Sequence, residues 1–266
     1  MRGVAWSARE RLGDVAVSLH PAGHILGSAQ VRVERDGEVW VVSGDYKRDA
    51  DASCEPFELV RCDTFVTEAT FARPDHRWES GSETVRAIYD WWEGNRARER
   101  VSVLYVYALG KAQRVLAELP RFTDRAVWVH YEVETLVACY RDEGVALAPT
   151  RELPRKVRGL DFRGELILAS PRYAENSWHS RLGDVETAFA SGWMDSKSSA
   201  HARGFDRGFA LSDHADWDDI LRTIAETGAR RVLTCHGDAS QLIAHLRAHG
   251  VDAGRLDSVG VGFATD

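Results

Sequence analysis

No stretch of these 266 residues approaches the run of roughly 18 apolar residues that a membrane span requires. The start Met1-Arg2-Gly3-Val4-Ala5-Trp6 lacks the apolar core of a secretory signal. A cytoplasmic setting without membrane contact is therefore expected. Cysteine is scarce: Cys54, Cys62, Cys139 and Cys235 are scattered and form no CxxC pair. That pattern indicates neither a disulfide framework nor a thiolate zinc knuckle, and the four read as small core residues. Positive charge is not in excess, and a formal charge of −7 argues against coating nucleic acid through bulk electrostatics. It leaves room for a nuclease, because a bound metal supplies local positive charge inside an acidic protein. Neither GxSxG nor GxGxxG occurs. Gly110-Lys111 lacks the earlier glycine of a phosphate-binding loop, since Tyr105 stands there, and Ala112 replaces the Ser or Thr that holds magnesium.

With 44% hydrophobic and 28% charged residues, the chain has the makings of one large or two modest folded domains. The first third reads as β-structure: Val15 to Leu19, Gln30 to Glu34 and Glu38 to Val42, with Asp36-Gly37 as a hairpin turn, then Thr64 to Thr67. From about Ser82 helices and strands alternate, which predicts a parallel sheet. Strands are expected at Val101 to Val106, Ala126 to Val129 and Glu165 to Ala169, with helices at 82–92, 110–119 and 132–141. Trp193 to Arg207 reads as a connector back to the first lobe. A strand at Phe209 to Leu211, a helix closed by Gly228, a strand at Arg231 to Thr234 and a helix closed by Gly250 follow.

Polar residues at strand tips are the candidates for chemistry, because sites collect there in α/β folds. His24 lies in a Gly-flanked turn between two strands, and Asp45 follows Val42-Ser43-Gly44. His214 follows Ser212 and Asp213, either of which can cap the next helix and set His214 in its first turn. His236 follows the strand ending at Thr234. His24, Asp45 and His236 are of the types that hold a hydrolytic metal ion. His245 and His249 are spaced i, i+4 but sit at a helix C-terminus, where imidazoles suit the dipole. His20, His76, His130, His179 and His201 read as structural.

The order of these residues, together with Thr67-Glu68-Ala69-Thr70-Phe71, resembles the metallo-β-lactamase fold nucleases that carry a β-CASP insertion. His24 within Ala22-Gly23-His24-Ile25-Leu26-Gly27 resembles the third metal motif, and Asp45 within Ser43-Gly44-Asp45 the bridging aspartate of the fourth. Glu68 resembles β-CASP motif A, His214 motif B, and His236 within His236-Gly237-Asp238 motif C. The likeness extends to Tyr107 through Arg114 and to Ala190-Ser191-Gly192-Trp193-Met194, which marks Lys111, Ser191 and Gly192 as candidate substrate contacts. The wording is most similar to the bacterial ligase-associated DNA exonucleases, also labelled mRNA 3′-end processing factor-like.

The resemblance implies an α/β fold: a metallo-β-lactamase αββα sandwich, N-terminally incomplete, with an inserted β-CASP domain. The lobes are expected at 1–81 and 199–266, with the insertion at 82–198. It implies a zinc-dependent exonuclease acting in DNA repair on single-stranded or end-containing DNA, with an ATP-dependent DNA ligase and a helicase as partners. Two zinc ions would activate a hydroxide, with Asp45 bridging, His24 and His236 each binding one ion, and Glu68 and His214 acting together near the leaving oxygen. An RNA 3′-end processing nuclease and a non-catalytic strand- or ligase-binding relative are the alternatives. The principal motif of the family, HxHxDH, occurs nowhere in the 266 residues, and only 23 precede His24. A misplaced start or a fragment is the expected reason, with a natural non-catalytic relative as the rival. The chain as written is expected to show negligible zinc-dependent nuclease activity.

Overall fold

The computed structural model describes residues 3–157, 159–176, 178–194 and 197–258. In chain order the strands and helices are β1 (Glu10–Leu12), β2 (Val15–Pro21), β3 (Ala29–Arg35), β4 (Glu38–Val42), β5 (Thr64–Thr67), α1 (Gly81–Arg96) and β6 (Val101–Tyr105). There follow α2 (Lys111–Glu118), β7 (Val127–Val129), α3 (Tyr131–Asp142), β8 (Thr150–Glu152), β9 (Leu166–Ala169), β10 (Val185–Ala190) and α4 (Lys197–Ala202). The last are β11 (Arg207–Phe209), α5 (Trp217–Thr227), β12 (Arg231–Thr234), α6 (Ser240–Ala248) and β13 (Asp252–Arg255). The architecture is mixed α/β with two sheets. Among the described residues no helix is long and apolar enough to cross a membrane.

The chain divides into two compact units. The first comprises Met1–Arg48, Glu55–Arg77 and His214–Asp266, and the second Asp49–Cys54 and Trp78–Asp213.

The first unit holds a seven-stranded sheet in the order β1-β2-β3-β4-β5-β12-β13. Strands β1 to β4 form an antiparallel meander, and β4, β5, β12 and β13 run parallel. The Asp36-Gly37 turn between β3 and β4 has positive φ at both residues, 53° and 84°, as a primed hairpin turn demands. One face of the sheet, with Val41, Phe65 and Val232, packs on Trp217, Ile220 and Ile224 of α5 and Leu242 and Leu246 of α6. Asp216 caps α5 by accepting a bond from the Asp219 amide, and Gly228 ends it in the left-handed conformation at φ 72°. Because β2 runs in the same direction as β4, the loops after β2, β4, β5 and β12 all leave the same edge of the sheet. That shared edge positions the site described below.

The second unit holds a six-stranded, wholly parallel sheet in the order β11-β10-β6-β9-β7-β8. Its central strands β6 and β9 are buried at every position, and apolar but for Ser102, because both faces are covered: Leu104, Leu166 and Leu168 enter one core cluster, and Val103, Tyr105 and Ile167 the other. Helix α1 begins at a capping box in which Ser80 and Glu83 satisfy each other's backbone amides. Two local expectations change here. The segment expected as a connector contains α4, and β11 ends at Phe209 instead of beginning there. Strand β11 extends the second sheet by parallel pairing with β10, so the second unit continues to Asp213.

Candidate functional site

Four of the residues singled out from the sequence converge within the first unit. His24 sits in the β2–β3 loop, where Gly23 adopts φ 71° and a Cβ would lie 2.4 Å from the Lys47 carbonyl oxygen. Only glycine fits this close approach of two backbones. The Ser28 hydroxyl accepts bonds from the amides of His24 (3.1 Å) and Ile25 (3.2 Å), which closes the loop. Asp45 leaves the tip of β4 after Gly44, another left-handed glycine at φ 57°. His24 Nε2 lies 3.9 Å from Asp45 Oδ2. His24 and Asp45, joined by His214, form the cluster whose ligand atoms all lie within 4.8 Å of one another. The His24 and His214 rings are 4.8 Å apart between centroids.

Glu68, at the tip of β5, is 1% exposed. Burying a carboxylate is expensive unless donors surround it, and here they do. Tyr46 N–H donates to Oε1 at 2.8 Å, and His214 Nδ1 lies 3.0 and 2.8 Å from Oε1 and Oε2. With Nδ1 turned to Glu68, His214 directs Nε2 away from that carboxylate, the arrangement by which a carboxylate orients a metal-binding imidazole. Phe71, 2% exposed, makes an edge contact with the His214 ring at 5.8 Å.

Tyr46 is the residue that sequence reasoning missed. Its amide holds Glu68, and its carbonyl accepts the amide of Ala215 at 2.7 Å, so one residue next to Asp45 fixes the segments carrying both Glu68 and His214. Its place directly after Asp45 was the only signal. Burial pushes the Tyr46 phenol above its ordinary range. Burial also raises the Cys235 thiol, with the Asp45 and Glu68 charges adding to the rise. A negative field of this kind favours a cation.

His236 stands outside the cluster. It is exposed at the tip of β12 with φ 61°, and its main chain is what reaches the site: its carbonyl accepts the amide of Ala69 at 3.0 Å. The next residue, Gly237, has φ 83°, and a Cβ there would lie 2.3 Å from the Ala69 oxygen. So among the described residues the trio is His24, Asp45 and His214, where His24, Asp45 and His236 were expected as ligands and His214 as the acid. His214 also lies two residues before the α5 cap, not in the first turn, because Asp216 is the cap and Asp213 is engaged elsewhere.

Lys111, Ser191 and Gly192 belong to the second unit. Lys111 is 4% exposed and its ammonium is hydrogen-bonded to the Asp213 carboxylate, while neighbouring Arg114 is ion-paired with Asp49 and Asp51. Ser191 and Gly192 form the buried turn after β10, and the Ser191 amide donates to the Phe209 carbonyl at 3.0 Å. His245 and His249 stack at 4.3 Å, and His249 Nδ1 lies 2.8 Å from the His245 carbonyl, a helix-end contact.

No family model matches the chain. It is 33% identical over 242 residues to a protein named probable DNA ligase from Opitutus terrae, covering 90% of this chain and 23% of that protein. It is 26% identical over 130 residues to endoribonuclease YSH1 of Gibberella zeae, covering 46% of this chain and 15% of that one. With the transcription termination factor FttA of Methanothermobacter thermautotrophicus it shares 27% over 186 residues, covering 59% and 29%. The chain thus spans less than a third of the length of each of these relatives. A crystal structure of a protein of unknown function from Enterococcus faecalis V583 superposes with a TM-score of 0.64 at 12% identity, covering 96% of this chain and 65% of that chain. At that identity the likeness is one of fold.

Proposed function

We propose that this chain carries the metal cluster of a metal-dependent phosphodiesterase of the metallo-β-lactamase and β-CASP class, acting on nucleic acid strands. The observation that carries the reading is the meeting of His24, Asp45 and His214 at one sheet edge, with Glu68 bonded to His214. Two imidazoles and a carboxylate suit zinc, which takes nitrogen and oxygen donors and leaves a position open in hydrolytic sites. Three donors provide for one ion, where the class as a whole is expected to hold two. A bound zinc ion supplies Lewis acidity and a water that ionises near neutral pH. The chain's own residues do the rest: Glu68 holds the His214 imidazole in one orientation, and Tyr46 holds Glu68. The names of the relatives support nucleic acid as the substrate. The DNA ligase relative favours DNA, and a ligase-associated exonuclease in DNA repair is the finer reading. The endoribonuclease and termination-factor relatives favour RNA as the second reading.

Equilibrium dialysis with zinc tests the site. One ion per chain is expected, lost in Asp45→Ala. Hydrolysis of single-stranded DNA is expected to be negligible, whereas the activated diester bis(4-nitrophenyl) phosphate, whose leaving group needs no protonation, is expected to turn over slowly with zinc. Absence of zinc binding sinks the reading. Comparing the affinities for matched DNA and RNA strands decides between the two substrates.

A further inference from the structure

A cavity of about 170 Å³ lies within the second unit, among residues that leave the carboxyl ends of three neighbouring parallel strands. His130 and Tyr131 follow β7, Leu153 to Arg155 follow β8, and Tyr173 lies in the 3₁₀ turn Pro171–Asn176 after β9. Ligands of open α/β sheets bind at this end of the strands. The wall is aromatic: Tyr131, Tyr173 and Trp178 line it, with Leu153 and Val157 as apolar floor. Tyr131 is 49% exposed, so much of its ring is open to solvent. Arg155 and Arg181, both exposed, also line the cavity. That sets a local positive excess, offset in part by Glu152, in a chain of net charge −7.

His130 adds a polar group whose ring packs on Tyr131 at 4.6 Å and on Tyr173 at 4.1 Å between centroids. It occupies the N-cap position of α3 without making a side-chain cap bond, and its buried Nδ1 has no hydrogen-bond partner. Burial first, and the nearby Arg172 second, hold its pKa below the ordinary value, so the ring is neutral at physiological pH and carries one donor and one acceptor. A buried imidazole nitrogen left unbonded is unfavourable unless a ligand or water meets it.

We propose that this pocket binds a nucleoside monophosphate, free or as one nucleotide of a strand, with its base against Tyr131 and its phosphate at Arg155 and Arg181. The volume, several times the roughly 30 Å³ of a water molecule, admits a planar ring and leaves the phosphate at the rim. Aromatic faces accept any base, which makes the site tolerant of base identity. Guanidinium groups match phosphate oxygens in a two-pronged fashion. Glu152 offers an acceptor for a base amino group. The site uses no residue of the first unit, so it stands independently of the hydrolytic reading.

Calorimetric titration of the full chain with AMP, adenosine and inorganic phosphate tests the assignment. AMP is expected to bind about tenfold or more tighter than either fragment. Tyr131→Ala is expected to weaken AMP and adenosine alike by roughly 5- to 100-fold. Arg155→Ala is expected to weaken AMP about tenfold and leave adenosine unchanged. Both residues are exposed, so melting temperatures close to that of the parent will show that the variants fold. Asp45→Ala is expected to bind AMP unchanged, which separates this site from the metal cluster. A single-stranded tetranucleotide binding more tightly than AMP assigns the site to a strand, and the reverse order to the free nucleotide. No AMP binding below about 10 mM, or phosphate binding as tightly as AMP with no response to Tyr131→Ala, overturns the proposal.

Discussion

The two sheets of this molecule are built on opposite terms. In the second unit β6 and β9 are buried at every position, with apolar clusters on both faces. In the first unit, among the described residues, one face of the sheet packs on α5 and α6. On the other face Val17 lies opposite Val33, and Leu19 opposite Val31, which in turn pairs with Val42. All five are half-buried or, at Val42, 36% exposed. The residues gathered for chemistry stand on the edge of this thinner sheet. They are held by backbone hydrogen bonds and close glycine contacts at Gly23 and Gly237 more than by surrounding bulk. Burial on both faces and the candidate chemistry thus fall in different sheets.

The largest test of that division is in the cores. Leu104→Ala removes a fully buried side chain from between two helices' apolar faces and should cost about 2–5 kcal/mol. Val33→Ala, on the half-covered face of the first sheet, should cost about 1 kcal/mol or less. Urea denaturation of the full chain measures both. Equal costs would mean that the first sheet's outer face is as tightly packed as the second sheet's interior, and the contrast would fail.

A smaller effect sharpens the same contrast from the side of the site. Glu68→Gln keeps the shape but cannot accept from both Tyr46 and His214 as the carboxylate does. Zinc affinity should fall roughly 10- to 100-fold, while the melting temperature moves far less than in Leu104→Ala. A variant that melts early yet binds zinc normally would assign Glu68 to stability instead of to orienting His214.

Much of this was legible in the residues. Apolar runs bounded by turn residues marked β2 to β6, β7, β9 and β12, because a strand with a buried face announces itself by composition. Strands β1, β8, β10 and β13 were not seen: Thr150-Arg151-Glu152 and Asp252-Ala253-Gly254-Arg255 are short and polar and become strands by pairing at sheet edges, while the inner strand β10 begins with the polar Glu186-Thr187 that breaks its apolar run. Helix α4 lies in a polar stretch, with the small Ala200 buried. In the site, His24 and Asp45 were visible as side chains of the right type at strand tips, His214 as a residue expected in a first helical turn, and Glu68 through its likeness to a family motif. The part played by Tyr46 was not, since it acts through its amide and carbonyl, which every residue possesses. Nor can sequence order say that His214, and not His236, shares a cluster with His24 and Asp45, because that depends on how the loops of one sheet edge turn.

The smallest expected effect concerns acid. Burial in the second unit lowers the pKa of both His130 and His179, the latter hydrogen-bonded to the Tyr105 hydroxyl at 2.8 Å. In the unfolded chain each histidine titrates near about 6.5. Above that pH both states are neutral and the groups contribute no slope. Below it the unfolded chain takes up protons that the folded chain resists, so stability is lost as pH falls from about 6.5 through the lowered folded values. Denaturation midpoints measured between about pH 7 and pH 5 should therefore decline, and the decline should be shallower in His130→Gln combined with His179→Gln, whose amides keep hydrogen-bonding capacity without titrating. A decline of undiminished steepness in that double variant would locate the acid sensitivity outside these two histidines, and with it remove the claim that the doubly covered sheet carries this liability along with its stability.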